Sequence, residues 1–270
     1  MRARSGFESE ASHALAGPRL GSVGAFERRA AILDLWQIDL ARPISESDRR
    51  LLSTEETAKA DRIIIESKRR QSYRARAELR RILALYLGGA PEQLCFIYGE
   101  HGKPALAIGP AGDQAPLCFN LSHSGDVALV SVVFERPQLQ LGVDVEEARA
   151  GREFASIAES FFAADEVAVF RRIPPGEQPA AFYRAWTRKE AYLKAIGTGL
   201  SFASTSFSIS YGRDEPAQLL RTERPGDDVR RWQMLDLPCP PGYAAAACWD
   251  GAPLELRRFY APHSEPLEPR

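Results

Sequence analysis

Leu141 to Glu147 reads LGVDVEE, and the fold follows from its alternation. In a strand successive side chains point to opposite faces. Leu141, Val143 and Val145 then enter a core, while Asp144 and Glu146 share the other face, roughly 7 Å apart along the strand. A second stretch has the same form: Leu33-Asp34-Leu35 precedes Val143-Asp144-Val145 by 110 residues, and Tyr73-Arg74-Ala75 precedes Tyr183-Arg184-Ala185 by the same shift. A shared shift suggests a duplicated unit. Short matches also arise by chance; a real duplication would give an α+β fold of two similar halves packed face to face, with a cleft between them.

The flanking segments fill in this scheme. Ile32 to Leu40, Leu94 to Tyr98, Cys118 to Asn120, Val127 to Phe134 and Leu139 to Val145 read as strands, and 99 to 116, rich in Gly and Pro, as a loop. Tyr73 to Leu87 carries an apolar stripe at helical spacing and stops at Gly88-Gly89. Phe154 to Phe162, Asp165 to Arg171 and Ala180 to Ile196 give helical signals. Phe207 to Ser210, Arg231 to Leu237, Tyr243 to Trp249 and Leu254 to Phe259 alternate like a meander. The expected organisation is a flexible leader over 1–28, an N-terminal half over 29–138, a C-terminal half over 139–260 and a loose tail over 261–270.

The chain has 270 residues and a net charge of −1, with 44% hydrophobic and 26% charged residues, which excludes a disordered, collagenous or supercharged chain. Cys95, Cys118, Cys239 and Cys248 show no CxxC spacing, so zinc and redox motifs are not indicated and a reducing, cytoplasmic setting is expected. No signal peptide and no 18-residue apolar run are legible, so no membrane contact is expected.

Five elements carry chemistry. Asp144 and Glu146 suit a hard divalent cation, or form the solvated face of an ordinary strand. In AAFYRAWTRKEAYLKAI, 180–196, Glu190 and Lys194 are an i,i+4 pair at the edge of the apolar stripe, suited to a cleft or to a surface salt bridge. Lys189 projects near the apolar centre, so its stem must snorkel or its ammonium must find a buried partner. FNLSHS, 119–124, sets hydroxyls around His123 where a strand meets a turn. It can offer donors to a phosphate or simply cap the turn, and without a GxSxG elbow it is a poor Ser-His catalytic pair. His101-Gly102-Lys103-Pro104 presents a lysine but lacks P-loop spacing. The run KRRQSYRARAELRR, 68–81, is either a solvated helix face or a landing strip for a polyanion or an acidic partner.

Together these elements resemble the Sfp-type 4′-phosphopantetheinyl transferases. The resemblance rests on GKP at 102–104, FNLSHS at 119–124, GVDVEE at 142–147, Phe161-Phe162 with Glu166, and WTRKEAYLKAIGTGL at 186–200, in the family's order and spacing. It covers roughly residues 50 to 210, and Lys189-Glu190-Ala191 is similar to the KEA subtype. The segments 1–28 and beyond about 255 have no counterpart in it.

The resemblance implies an α+β monomer of two similar α/β halves in pseudo-twofold arrangement, with the active site in the cleft between them. It implies an enzyme that moves the phosphopantetheine arm of coenzyme A to a serine of an apo acyl or peptidyl carrier protein, releasing adenosine 3′,5′-bisphosphate, with Mg²⁺. It implies Asp144, Glu146 and Glu190 as metal ligands, Glu190 also as base, and Lys194 as catalytic and phosphate-binding. Ser122, His123 and Lys103 are implied as coenzyme A contacts, with Lys59 and Arg70 as further phosphate contacts. A binder without turnover and a nucleic-acid module on 68–81 are the competing readings; the transferase reading expects no nucleic-acid partner.

Overall fold

A computed structural model describes residues 31–108, 113–149 and 151–261. The leader over 1–28 lies outside them, as does the tail beyond Ala261. The first half runs β1 (Ile32–Asp39), α1 (Glu46–Arg50), α2 (Thr54–Asp61), α3 (Glu66–Leu87), β2 (Cys95–Tyr98), β3 (Pro104–Ile108), β4 (Asp113–Gln114), β5 (Leu117–Ser124) and β6 (Val127–Phe134). The second runs β7 (Leu141–Glu147), α4 (Phe154–Phe161), α5 (Ala164–Phe170), α6 (Gln178–Ile196), β8 (Phe207–Ile209), β9 (Leu219–Thr222), β10 (Trp232–Asp236), β11 (Tyr243–Asp250) and β12 (Glu255–Tyr260).

The repeat is visible in the topology. One sheet has the order β12-β1-β6-β5 and another β10-β11-β7. In each half the first strand pairs antiparallel with the last long strand, which pairs in turn with the strand before it. The long helices α3 and α6 end alike, at Gly88 and Gly197, with φ of 70° and 71°, a left-handed cap that glycine adopts without a Cβ penalty.

Alternation sorts the layers. On β1, Trp36 and Ile38 pack with α3 residues Leu79, Ile82 and Leu83. On β11, Ala246 and Cys248 pack with Ala191 and Ala195 of α6. The opposite faces meet in the middle, where Leu33, Leu35, Leu129 and Val133 join Leu141, Val143, Val145 and Ala247. The order is helix, sheet, sheet, helix.

Each half also buries a matched ion pair. Glu56 of α2 accepts from the Ser53 backbone N–H at 2.9 Å and from Arg80 Nε of α3 at 2.8 Å. Glu166 of α5, 110 residues on, accepts from the Ala163 N–H at 2.7 Å and from Lys189 Nζ of α6 at 2.6 Å. One carboxylate thus caps a short helix and fixes the rotation of the long one. The buried partner that Lys189 required is Glu166, and the ammonium also donates to Phe207 O at 2.8 Å.

The two sheets join at a polar seam. β5 and β7 are edge strands of their sheets, and the backbone does not pair across them. Asn120 Oδ1 accepts from Val143 N at 2.8 Å, Ser122 Oγ from Val145 N at 3.3 Å, and Ser124 Oγ from Glu147 N at 3.1 Å. Three alternating side chains therefore satisfy three alternating N–H groups that would otherwise be orphaned at a covered edge.

Several expectations differ from the structure. The Gly/Pro-rich loop 99–116 holds β3 and β4, because a tight turn folds 103 back on 99, with Gly99 N donating to Lys103 O at 2.9 Å. The helix expected from Tyr73 begins at Glu66, since its first turns are polar and lack an apolar period. β12 does not continue the meander. It crosses to pair parallel with β1, held by Arg257 Nε on Asp34 Oδ1 at 2.6 Å and by Phe259 stacked on Trp36 at 4.5 Å.

Gly142 fixes the height of α6 over β7. A Cβ there would lie 2.0 Å from Ala191 O and 2.5 Å from Ala195 N, both backbone atoms that cannot swing aside. Gly142→Ala is expected to lift the helix and cost at least about 1–3 kcal/mol, read from the denaturation midpoint, with activity falling further than stability.

Candidate active site

Gly142, Asp144 and Glu146 share the face of β7 that looks at α6, and the close approach at Gly142 brings Glu190 and Lys194 over that face. Lys194 Nζ donates to Asp144 Oδ1 at 2.6 Å and to Ser122 Oγ at 2.7 Å. Ser122 Oγ donates to the same Asp144 oxygen at 2.8 Å, and Ser124 Oγ donates to Glu146 Oε2 at 2.8 Å. The seam serines thus hold β7's backbone and the site's carboxylates at once.

Three carboxylates crowd together. Burial raises the pKa of Asp144, against the pull of Lys194 and Ser122. Burial and then the neighbouring Asp144 raise Glu146. Glu190 is raised by burial and Asp144, with Lys194 opposing. Asp144 is buried and its Oδ2 has no hydrogen-bond partner. A buried, unsatisfied carboxylate oxygen beside two more carboxylates is costly unless a cation reaches it. Among the described residues no group of three or more His, Cys, Asp or Glu side chains is placed to hold a metal ion. The donor chemistry, all hard oxygen with one oxygen unclaimed, nevertheless fits a divalent cation such as Mg²⁺.

A pocket of about 290 Å³ opens beside this cluster, lined by Asn120, Glu190, Lys194, His101 and Lys103 among others. Exposed His123 stands on the strand end next to Ser122. Loss of hydration, then the nearby Lys194 and Lys68 ammonium groups, push its pKa down. Lys68 was visible in the sequence only as part of the basic run.

That run is neither a solvated face nor a landing strip along its length. Arg74, Arg80 and Arg81 turn inward to Asp48, Glu56 and Glu78. Lys103 is also committed: its ammonium donates to Leu141 O and Ala195 O, each at 2.9 Å, and burial pushes its pKa down to about 8. In this arrangement it fastens the end of α6 to the start of β7. Lys59 is exposed, paired with Glu55 at 2.8 Å and lying 4.3 Å over the Tyr98 ring. Arg70 sits in the second turn of α3 with its Nε buried and unpartnered.

The family model of the 4′-phosphopantetheinyl transferase superfamily matches residues 140–248, from β7 through most of β11. The chain is 37% identical over 205 residues to the 4′-phosphopantetheinyl transferase HetI of Nostoc sp., covering 75% of this chain and 81% of that one. The chain belongs to the 4′-phosphopantetheinyl transferase superfamily. It is therefore a transferase. It is also 31% identical to the 4′-phosphopantetheinyl transferase psf-1 of Bacillus pumilus, over 77% of this chain and 83% of that one. The holo-[acyl-carrier-protein] synthase of Thermotoga maritima superposes with a TM-score of 0.31 at 21% identity, covering 43% of this chain and 63% of that one.

Asn120, Ser124 and Gly142 lie in motifs the sequence singles out, but their parts in the seam and in the close approach of α6 were missed. Their signal was present: Asn120, Ser122 and Ser124 alternate on one face, and Gly142 breaks an otherwise apolar strand.

For this transferase, Lys189→Met should cost about 3–5 kcal/mol at neutral pH by leaving Glu166 buried without its cation. Burial already raises the Glu166 pKa, with Lys189 opposing it. The folded variant should therefore hold the Glu166 proton above the ordinary carboxylate range. Part of the lost stability should return as pH falls toward that range, checked by denaturation at several pH values.

Proposed function

We propose that the enzyme transfers the 4′-phosphopantetheine arm of coenzyme A to a serine hydroxyl of an apo acyl or peptidyl carrier protein, giving the holo carrier and adenosine 3′,5′-bisphosphate. One observation carries this reading: α6 sets Glu190 and Lys194 against buried Asp144, whose second oxygen is unclaimed. The proposal includes the KEA subtype, carried by Lys189-Glu190-Ala191.

Each side chain has a task. Asp144, Glu146 and Glu190 would hold Mg²⁺, which when bound supplies charge to offset the pyrophosphate oxygens. Glu190 accepts the serine proton, directly or through water, as the serine oxygen bonds to phosphorus and the bond to the departing phosphate breaks. Its raised pKa suits a general base. Lys194 can turn from Asp144 to the phosphates and stabilise the departing one. Ser122 and His123, with Lys68 beside them, offer donors and positive charge to the remaining phosphates. Arg70 is assigned to the same polyanion, and Lys59 and Lys103 to the rim that the nucleotide passes.

The enzyme is proposed to act as a cytoplasmic monomer without nucleic-acid or membrane partners. Its four cysteines stand as free thiols, and no described helix is long and apolar enough to cross a membrane.

Incubation with coenzyme A, Mg²⁺ and apo carrier proteins should add the phosphopantetheine mass to the carrier. Glu190→Gln should lower the rate by at least about 10²-fold while leaving the melting temperature within a few degrees, because no hydrogen bond among the described residues involves the Glu190 side chain. Chelation should stop transfer and added Mg²⁺ restore it. A carrier panel that gains no mass overturns the proposal.

A further inference from the structure

The turn between α2 and α3 carries two isoleucines in water. Ile64 is 93% exposed and Ile65 64%, the most exposed of the large hydrophobic residues described. The fold does not demand this. The turn between α5 and α6 is its counterpart, 110 residues on, with the same backbone bond: Ile63 N donates to Ala60 O at 3.0 Å, and Ile173 N to Phe170 O at 3.1 Å. Ile63 and Ile173 are both half-buried, and Ile173 packs against the core of its half. The next two positions are Pro174 and Pro175 in the second half, where the first half has Ile64 and Ile65.

The same segment is net positive: residues 61–70 hold Arg62, Lys68, Arg69 and Arg70 against Asp61 and Glu66, while 171–180 hold Arg171 and Arg172 against Glu177. Arg69 pairs with Glu66, and Lys68 and Arg70 serve the coenzyme A phosphates in the reading above, so Arg62 is the cation that stands next to the pair in the chain. The start of α3 borders the active site: Gln71 Nε2 donates to Asp126 Oδ1 at 2.8 Å, in the turn that follows Ser124. An exposed apolar pair on a net-positive segment at the edge of a catalytic cleft has the make-up of a docking point: an apolar anchor that desolvates, with charge that steers.

We infer that Ile64 and Ile65 form a docking knuckle for the carrier protein, meeting an apolar spot on that partner bordered by carboxylates. The inference rests on the transfer activity proposed above. That activity obliges the carrier to sit over the cleft while its serine reaches Glu190, which makes the carrier, rather than a lipid surface, the occupant of this lip.

Because Ile64 touches little, Ile64→Asp should fold normally and keep the wild-type melting temperature. Binding is measured separately from transfer, using the full-length enzyme and an acyl carrier domain whose acceptor serine is replaced by alanine. The expected result is a Kd and a carrier KM each raised about tenfold or more, an unchanged KM for coenzyme A, and Ile64→Leu behaving as wild type. Carrier Kd and KM unchanged in Ile64→Asp overturn the inference. So does an Ile64-dependent flotation of the enzyme with phosphatidylglycerol vesicles when carrier binding is unaltered, which would assign the knuckle to a lipid surface. Carrier binding that is lost in Ile64→Asp, in an enzyme that transfers nothing to any carrier, sustains the docking knuckle and removes the activity instead.

Discussion

The structure turns on three side chains that do the work of a backbone ladder. Asn120, Ser122 and Ser124 reach from one sheet to the free N–H groups of β7 on the next. Backbone pairing there would have merged the two sheets into one and placed β7 in their plane. Side-chain pairing keeps the sheets separate yet fixes their register, because each acceptor meets one backbone N–H of β7. It also leaves two serine hydroxyl protons free to donate, and these go to Asp144 and Glu146. The joint between the halves and the positioning of the carboxylates are thus one set of bonds.

The two halves show how one layout yields one site. Asp34 and Asp144 occupy equivalent positions on β1 and β7, each facing a long helix. Around Asp34 both oxygens are taken, by Arg257 and by the Tyr86 hydroxyl, and the carboxylate is a closed structural ion pair. Around Asp144 the cation is Lys194, a flexible lysine that is 30% exposed, and one oxygen is left over. A guanidinium locks a carboxylate bidentately, whereas an ammonium on a long stem can leave it. The same geometry is therefore inert in one half and available for chemistry in the other.

Local periodicity made much of this legible. The alternation in LGVDVEE placed Asp144 and Glu146 on one face, the helical spacing of 180–196 put Glu190 and Lys194 at a stripe edge, and the 110-residue echo announced the duplication. Lys189 could be flagged as needing a buried partner, although which carboxylate would supply it was a tertiary fact. Readings that depended on distant pairing fared worse. Nothing local to residues 255–260 says that β12 pairs with β1 rather than β11. Nothing in the basic run says that Arg74, Arg80 and Arg81 face inward, because arginine periodicity looks the same whether its partner is water or a buried carboxylate.

The pairing of β12 with β1 has a consequence for how the chain is made. Arg257 and Asp34 are 223 residues apart, so during synthesis β1 waits with one edge open until nearly all the described chain has left the ribosome. Until then Asp34 lacks its arginine and Trp36 its stacking partner. A closing contact of such long range slows folding and leaves an unpaired edge exposed meanwhile. The first half, though complete in its own helices and most of its sheet, gains its last strand only after the second half has been made.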